Sequence, residues 1–408
     1  MDYAYSTQKL NWMFSKEDLN RMRGEAHSRI VKSIILKRKN HDAAQNATNP
    51  EKSTNPTTSV GTPERPEKRA SAGTPSVKME HPTPDLNPAL ATVSVPQEEI
   101  DKYPTLEEEW ALLSSYLSKL FDSYPDHPDK CINYRSIQYY AATYVKRFYL
   151  TRSILQYDPK LVCASSMLLA IKADNYKPLD AGVLANDMDV KKEAIIEMEQ
   201  KLLFALKYQM VIHTPYRMSR IIDAVLLDMA RSESFKSILA EDVLHQLQTT
   251  ADSLISTVGS TDVDLVIDPY YIALYAYYNA LKQLNDGTAV FAELVERLCQ
   301  GNGIVPITGN DFVPLETLVK RIEQVTVAVN DFKLMLSKVD TKAAKKKWRH
   351  MREYDRVLPK PIHKKTDDGS SLAHSQGIVE SIGGQSNQSE SSFVTYKQEP
   401  PSDKRPSL

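Results

Sequence analysis

Residue types that could carry out catalysis are scattered along this chain of 408 residues. Four histidines fall in regions of helix-like sequence: His127, His213, His245 and His350. None of them stands at metal-ligand spacing from another histidine or from a cysteine. The patterns GxGxxG, HExxH, GxSxG and GxxxxGK followed by Ser or Thr do not occur. The sequence therefore predicts no catalytic residue, no metal site and no cofactor.

The three cysteines are far apart in the sequence: Cys131, Cys163 and Cys299. They form neither a disulfide framework nor a CxxC pair, so we expect buried, reduced thiols. No apolar run approaches the roughly 18 residues that a membrane span needs, and the first residues lack the order of a signal peptide. These patterns predict a soluble intracellular protein that does not bind a membrane.

One cation occupies an unusual place. The stretch "LLAIKADNYK", residues 168–177, is an apolar run that carries Lys172 at its edge and then becomes polar. A lysine at a helix C-terminus complements the helix dipole for about 0.3 to 1 kcal/mol and needs no partner. The same ammonium could instead pair with a carboxylate and still donate hydrogen bonds to a partner protein. Spacing alone leaves both interpretations open.

Apolar residues recur at helical spacing from Thr105 to about Arg356, for example in "LEEEWALLSSYLSKLF", "YRSIQYYAATYVKRFYL" and "KKEAIIEMEQKLLFAL". Each stretch has one apolar face, and no alternating strand pattern competes with the helical one. The sequence therefore predicts an all-α core.

An internal repeat gives this core an organisation. "YDPKLVCASSMLLA" and "IDPYYIALYAYYNA" both place an Asp-Pro pair before an almost wholly apolar helix, with Asp158 and Asp268 110 residues apart. Asp at the N-cap and Pro at the first helical position favour helix initiation. A helix that is apolar all round is enclosed by others. We therefore predict two bundles, each built around one central helix.

The flanking segments differ from the core in composition. Ser15 and Asp18 form a candidate capping box before a helix predicted from about Lys16 to Lys37. Residues 40–98 are rich in Pro, Ser, Thr and Asn, and residues 361–408 are of low complexity. Such segments bury too little apolar surface to offset the entropy of ordering, so both are predicted to be disordered.

The formal net charge of −1 hides an asymmetry along the chain. Residues 101–337 carry 23 Lys and Arg against 31 Asp and Glu, a net of −8, and residues 338–365 carry 11 against 3, a net of +8. Nucleic-acid binding needs a basic face, so the acidic core argues against it. The run "KAAKKKWRHMR", residues 342–352, could be a nuclear-import signal, a phosphate-binding stripe or a solvated helix face.

Several stretches together resemble the cyclins, and most closely those of the H type. "YVKRFYL" at residues 144–150, "DPKLVCASSMLLAIKAD" at 158–174, "VIHTPYR" at 211–217 and "STDVDLVIDPYYIAL" at 260–274 follow the first box, the junction and the second box in order. The stretch "STQKLNWMFSKEDLNRMRGEAHSR", from residue 6 to 29, resembles the segment that precedes the first box in H-type cyclins.

The resemblance implies tandem cyclin boxes, each a five-helix bundle, flanked by N- and C-terminal helices. These helices would pack beside the boxes, where they either support a kinase contact or cover the bundle edge. The predicted segments are a 1–39 N-terminal segment and helix, a 40–98 disordered linker, a 99–212 first box, a 213–337 second box, a 338–360 basic C-terminal helix and a 361–408 disordered tail.

The resemblance further implies a regulatory subunit, itself not an enzyme, that binds and activates a cyclin-dependent kinase. Lys172 and Glu199 match the positions that contact the kinase in cyclins, and Asp174 is followed by Asn175 where cyclins often have a second acidic residue. Ser6 and Thr7 stand where H-type cyclins have a regulated phosphorylation site.

An H-type cyclin is also expected to have further partners. They are a RING-finger assembly subunit, which completes the CDK-activating kinase, and the TFIIH core, so the expected location is the nucleus and one expected target is the RNA polymerase II tail. No direct nucleic-acid contact is expected. Two rival interpretations remain: a C-type cyclin of the Mediator kinase, which shares "KRFY", and a TFIIB-like DNA-binding protein of the same fold.

Overall fold

The computed structural model describes Tyr3 and residues 6–47, 95–122, 134–174, 181–300 and 315–357. Within these ranges the regular elements are helical. The helices, in chain order, are α1 Thr7–Trp12, α2 Lys16–Ala47, α3 Gln97–Ile100, α4 Leu106–Asp122, α5 Tyr134–Phe148, α6 Pro159–Ala173, α7 Ala181–Asp187, α8 Lys192–Ala205, α9 Pro215–Ala230, α10 Glu241–Gly259, α11 Pro269–Leu281, α12 Gly287–Gln300, α13 Leu315–Ser337 and α14 Thr341–Val357. A short 3₁₀ turn, Val263–Leu265, precedes α11.

Two apolar cores organise the helices. The first core is shared by α4 to α8, and the second by α9 to α13. In each bundle one helix is enclosed by the other four: α6 in the first and α11 in the second. This arrangement confirms the all-α prediction of two five-helix bundles. The predicted segment boundaries are not tested by it and stay predictions.

The two Asp-Pro pairs begin the enclosed helices, but their carboxylates act differently. Asp158 caps α6, since its Oδ1 accepts a 3.0 Å hydrogen bond from the backbone N–H of Lys160. Asp268 occupies the same backbone position before α11, yet its carboxylate accepts hydrogen bonds from the Tyr3 hydroxyl and from the Lys9 ammonium. The second aspartate therefore holds the N-terminal segment as well as starting a helix.

Helices α2 and α14 flank the first bundle. Arg23 of α2 stacks 3.4 Å above the Trp110 ring of α4 and donates a 2.6 Å hydrogen bond to Asp262. On α14, the Trp348 indole donates to the carbonyl of Ile154 at 3.1 Å. Arginine over an indole face is a cation–π contact, which adds to the area buried by the two side chains. Both terminal helices therefore cover the edge of the first bundle.

The N-terminal helix differs from its prediction at one end. Its start agrees, because Ser15 Oγ accepts from the Asp18 N–H at 3.0 Å as the capping box requires. The predicted end at Lys37 was wrong, since α2 continues to Ala47. No Gly or Pro follows Lys37 until Pro50, so the local sequence does not stop the helix. Arg38 also donates to the Met351 carbonyl at 3.1 Å, which stabilises the added turns.

The insertion predicted for residues 40–98 starts inside α2, and α3 begins at Gln97. Most of it, residues 48–94, lies outside the described residues, as does the predicted tail, residues 361–408.

The two bundles are joined by a buried ion pair. Lys146 of α5 is fully buried, and its Nζ lies 2.6 Å from both carboxylate oxygens of Asp264. The same ammonium donates to the carbonyls of Gly259 and Thr261, at 2.9 and 3.1 Å. Burial lowers the Lys146 pKa, and the Asp264 charge opposes that shift. All three ammonium protons therefore have acceptors on the second bundle.

A glycine permits this close approach. A Cβ atom added at Gly259, the last residue of α10, would lie 2.6 Å from Cζ of Phe121 in α4. Such a distance is far inside van der Waals contact, so a larger residue would have to displace the Phe121 ring. Gly259 leaves room for that ring beside the carbonyl that accepts from Lys146.

We predict that Asp264→Asn lowers the free energy of unfolding by about 3 to 5 kcal/mol, because it leaves a buried ammonium without its counter-charge. The double change Lys146→Met with Asp264→Leu should recover most of this loss, since it removes both charges. Urea denaturation measures both effects. A loss below about 1 kcal/mol in the single variant would show that this pair does not hold the bundles together.

Candidate partner-binding site

Lys172 and Glu199 meet at one end of the first bundle. Lys172 Nζ lies 2.7 and 2.8 Å from the two carboxylate oxygens of Glu199. The Glu199 side chain is 11% exposed and that of Lys172 is 56% exposed. The carboxylate is therefore held within the surface while the ammonium faces outward, with donor capacity left for a second partner.

The packing of α6 against α8 sets this geometry. Lys172 stands in the last turn of α6, where the enclosed helix leaves the bundle, and Glu199 lies in the middle of α8. Ser165 Oγ donates to the carbonyl of Ile195 at 3.0 Å, which fixes the register of the two helices. A cation at this helix end also complements the dipole, so the two interpretations of Lys172 in the sequence are compatible.

Two large apolar side chains are exposed beside the ion pair, and two aromatic side chains are exposed farther along α8. Ile196 lies one turn before Glu199 on α8, and Val211 lines the same depression as Lys172. Phe204 and Tyr208 meet edge to face at 5.6 Å near the end of α8. We call these four residues and the ion pair the α6–α8 surface. A cluster of exposed apolar and aromatic side chains is typical of a protein-binding surface.

Two residues of the turn after α8 have a positive φ, a backbone conformation that favours glycine. Lys207 and Tyr208 have φ of 52° and 57°, and their N–H groups donate to the carbonyls of Phe204 and Leu203 at 3.1 Å. Non-glycine residues in this region cost on the order of 1 to 3 kcal/mol each. The conformation reverses the chain and brings Tyr208 beside Phe204. Such strain is often found at binding sites.

Side chains of α5 and α1 hold the segment that follows this turn. The Tyr144 hydroxyl donates to the Met210 carbonyl at 2.7 Å. Trp12, the last residue of α1, donates from its indole N–H to the side chain of Gln209 at 2.6 Å. Arg147 is buried beneath the Trp12 ring, 4.7 Å from its centre, and burial lowers the Arg147 pKa to about 10. Arg147 therefore remains a cation at neutral pH.

The predicted site residues have distinct surroundings. Asp174 follows the end of α6, where burial raises its pKa and the Arg220 charge opposes that shift. Within the described part of the chain, Asp174 makes no ion pair with Lys172. Ser6 is buried as the N-cap of α1 and accepts from the Lys9 N–H at 3.2 Å, whereas Thr7 is exposed. Modification of Ser6 or Thr7 stays a prediction.

Other residues expected to carry chemistry do not gather at a site. Cys163 is buried, and burial raises its pKa to about 12, so this thiol is protonated at neutral pH. Cys131 and the side chain of Cys299 lie outside the described residues. Among the residues that the structure describes, no group of three or more His, Cys, Asp or Glu could hold a metal ion. No helix in the same ranges is long and apolar enough to cross a membrane.

Sequence reasoning missed most of the α6–α8 surface. It selected Lys172 and Glu199 but not Ile196, Phe204, Tyr208 or Val211, and it gave no role to Trp12. A signal was present, because Phe204 and Tyr208 fall off the buried stripe of Ile195, Met198 and Leu202 on α8. An aromatic pair spaced i, i+4 outside an apolar stripe is worth testing as a surface contact.

Comparison with known proteins places these features in one family. A family model described as the cyclin N-terminal domain matches residues 133–211, which run from α5 to the segment after α8. A protein named cyclin-C1-1 from Oryza sativa subsp. japonica is 31% identical over 217 residues, or 48% of this chain and 76% of the relative.

Two relatives carry H-type names. A probable cyclin-H from Echinococcus multilocularis is 24% identical over 242 residues, or 57% of this chain and 70% of the relative. A cyclin-H from Xenopus laevis is 27% identical over 179 residues, or 41% of this chain and 51% of the relative. Among solved structures, a chain of the CAK complex from Chaetomium thermophilum bound to ATP-γ-S matches with a TM-score of 0.56 and 17% identity. That match covers 90% of this chain and 97% of the other, and at this identity it supports the fold.

We predict that Glu199→Gln lowers the free energy of unfolding by no more than about 1 kcal/mol, because water can solvate the outward-facing Lys172 once the charge is lost. Asp264→Asn is the matched comparison, since it removes one carboxylate charge from a fully buried Lys–carboxylate pair of similar length. Urea denaturation of both variants checks the difference. An equally large loss in the two variants would assign the Lys172–Glu199 pair a purely structural role.

Proposed function

We propose that this chain, which belongs to the cyclin family, is a regulatory, non-catalytic subunit that binds and activates a cyclin-dependent protein kinase. One observation carries the proposal: an outward-facing Lys172, held by Glu199, lies within an exposed apolar and aromatic surface. The apolar side chains that become buried on binding would supply most of the affinity, and the charged pair would fix the orientation of the partner.

The mechanism is a shift in the population of kinase conformations. A protein kinase is competent when the glutamate of its αC helix pairs with the nucleotide-binding lysine and its activation segment is ordered. A subunit that binds only this state stabilises it. Moving the equilibrium from 1:99 to 99:1 requires a differential affinity of about 5.5 kcal/mol, and a standard interface of roughly 800 Å² per partner can supply it.

Rigidity of the α6–α8 surface favours this mechanism. The ion pair is held by the contact of α6 with α8, and the segment carrying Val211 is held through Met210 and Gln209. A surface that is already ordered loses little entropy on binding, so more of its interaction energy is available to select the active kinase.

The H-type assignment gives the proposal its biological context. The H-type relatives and the "STQKLNWMFS" stretch at residues 6–15 support a role in the CDK-activating kinase. In that role the chain would assemble with the kinase and a RING-finger subunit, act within TFIIH on the RNA polymerase II tail, and be found in the nucleus. Trp12 of this stretch contacts Gln209 beside the α6–α8 surface, so the N-terminal segment would support kinase binding.

A C-type Mediator cyclin is the second candidate. The match to cyclin-C1-1 from Oryza sativa favours it, because its identity of 31% exceeds that of the two H-type relatives. The two candidates differ in the kinase that they bind. Purifying the full chain from its own cells and identifying the co-purifying kinase separates them: a CDK-activating kinase supports the H type, and a Mediator kinase supports the C type. Recovery without any kinase would contradict both.

We predict that exchanging the two charges, Lys172→Glu with Glu199→Lys, weakens binding to the kinase by at least about 30-fold, the equivalent of 2 kcal/mol. The exchanged pair can still form within the chain, so the fold should be retained. The kinase, however, would face a carboxylate at position 172 in place of the ammonium group that the parent chain presents. Titration of purified kinase by calorimetry measures the affinity, and phosphorylation of a kinase substrate measures activation.

The control is the exposed pair Lys320 and Glu316 on α13 of the second bundle, which has an N···O distance of 2.8 Å. Lys320→Glu with Glu316→Lys makes the same exchange away from the α6–α8 surface, so affinity should stay within about twofold of the parent. If the Lys172 and Glu199 exchange left both affinity and activation unchanged, the proposed binding site would be wrong.

A further inference from the structure

The C-terminal helix α14 has two faces of different chemistry. Its inner face is apolar and buried against the first bundle through Ala344, Trp348 and Met351. Its outer face is basic. Five side chains line one shallow depression there: Lys342, Lys345, Lys346, Arg349 and His350. The outer face of α14 is therefore a continuous cationic surface, which we call the α14 basic face.

Two further cations of this helix already have partners. Lys347 pairs with Glu108 of α4 at 2.9 Å, and Arg352 pairs with Asp158 at the start of α6. These two residues lie at the edges of the inner face and attach the helix to the bundle. In contrast, the cations of the α14 basic face make no ion pair with any of the residues that the structure describes. Among the described contacts, the attachment of α14 to the bundle therefore uses none of the four lysine and arginine charges of this face.

The spacing of these cations fits a regular row of phosphates. A rise of 1.5 Å per residue places Lys342 and Arg349 about 10 Å apart along the helix. Phosphates along one strand of a duplex follow every 3.4 Å of the helix axis, so such a row covers about three intervals, that is, about four phosphates. Three of the four permanent cations are lysines, which act as point charges and need no bidentate geometry.

The face also lacks what a peptide partner would need. Protein interfaces depend on buried aromatic or aliphatic anchors, and the exposed positions of α14 from Lys342 to His350 offer only Ala343 as an apolar side chain. Binding through cations alone is typical of contacts with a polyanion, where release of counterions supplies the free energy. The chemistry therefore favours a nucleic-acid backbone over an acidic peptide.

We propose that the α14 basic face binds the phosphate backbone of a nucleic-acid duplex without sequence preference. The expectation of no direct nucleic-acid contact came from the net charge of −8 over residues 101–337, and α14 lies beyond that range. The acidic core repels a polyanion, so it would direct a duplex towards this helix and away from other surfaces. The contact does not involve the α6–α8 surface, and kinase activation does not depend on it.

Titration of the full chain with a fluorescein-labelled duplex tests the proposal, with anisotropy read at several salt concentrations. Four phosphate contacts predict a slope of about −3.6 for log K against log salt, or a loss of affinity of roughly 150-fold between 50 and 200 mM salt. The variant Lys342→Gln, Lys345→Gln, Lys346→Gln, Arg349→Gln should lose nearly all of this binding and its salt dependence.

The matched control changes four exposed lysines of the second bundle: Lys236→Gln, Lys282→Gln, Lys320→Gln and Lys333→Gln. It lowers the net charge by the same amount and should bind the duplex as the parent does. Both variants should keep the parent's melting temperature and its activation of the kinase, which separates this test from that of the proposed function.

Three results would overturn the proposal. The first is the absence of salt-dependent binding of the duplex by the parent chain. The second is an equal loss of binding in the two variants, which would indicate diffuse charge. Displacement of the duplex by an equal charge concentration of polyglutamate would assign the α14 basic face to an acidic protein segment instead.

Discussion

The enclosure of α6 is the constraint on which the candidate site depends. Because residues Val162 to Ile171 are buried on all sides, the helix can present a polar side chain only where it leaves the bundle. Lys172 is the first residue at that exit, and α8 provides the carboxylate beside it. If α6 shifted by one residue, a different side chain would stand where the helix leaves the bundle, and Lys172 would no longer reach Glu199. The packing of an apolar helix thus fixes the position of one ammonium group.

The junction between the bundles is a second constraint, and it uses buried charge. Lys146 and Asp264 are both removed from water, and the ammonium has acceptors for each of its protons. Hydrophobic residues of similar size could fill the same space and give comparable stability. A buried ion pair is more selective, since any other register of the bundles would leave a charge unpaired. We infer that this pair specifies how the second bundle meets the first.

The N-terminal segment connects this junction to the candidate site. Its residues reach the second bundle through Asp268 and the segment between the bundles through Gln209 and His213. The Gln8 side chain both donates to the His213 carbonyl and accepts from its N–H, so it takes the place of a backbone partner. A short helix at the start of the chain thereby contributes to the rigidity of a surface formed by residues two hundred positions later.

Local sequence determined much of the fold. Helical periodicity identified the core helices, the Asp-Pro pairs marked the two enclosed ones, and Ser15 with Asp18 marked the start of α2, because these signals act within one or two turns of chain. The end of α2 was missed, since contacts of Arg38 with Tyr103 and Met351 stabilise it from distant segments.

For the site, the family resemblance selected Lys172 and Glu199, and their types and positions were readable from the chain alone. Only the tertiary structure decided that Glu199 is held inside while Lys172 faces out, that Phe204 and Tyr208 are exposed together, and that Trp12 holds the neighbouring Gln209. Exposure and contact across long sequence separation follow from how helices pack, and a one-dimensional pattern records which residues are apolar but not which neighbour covers them.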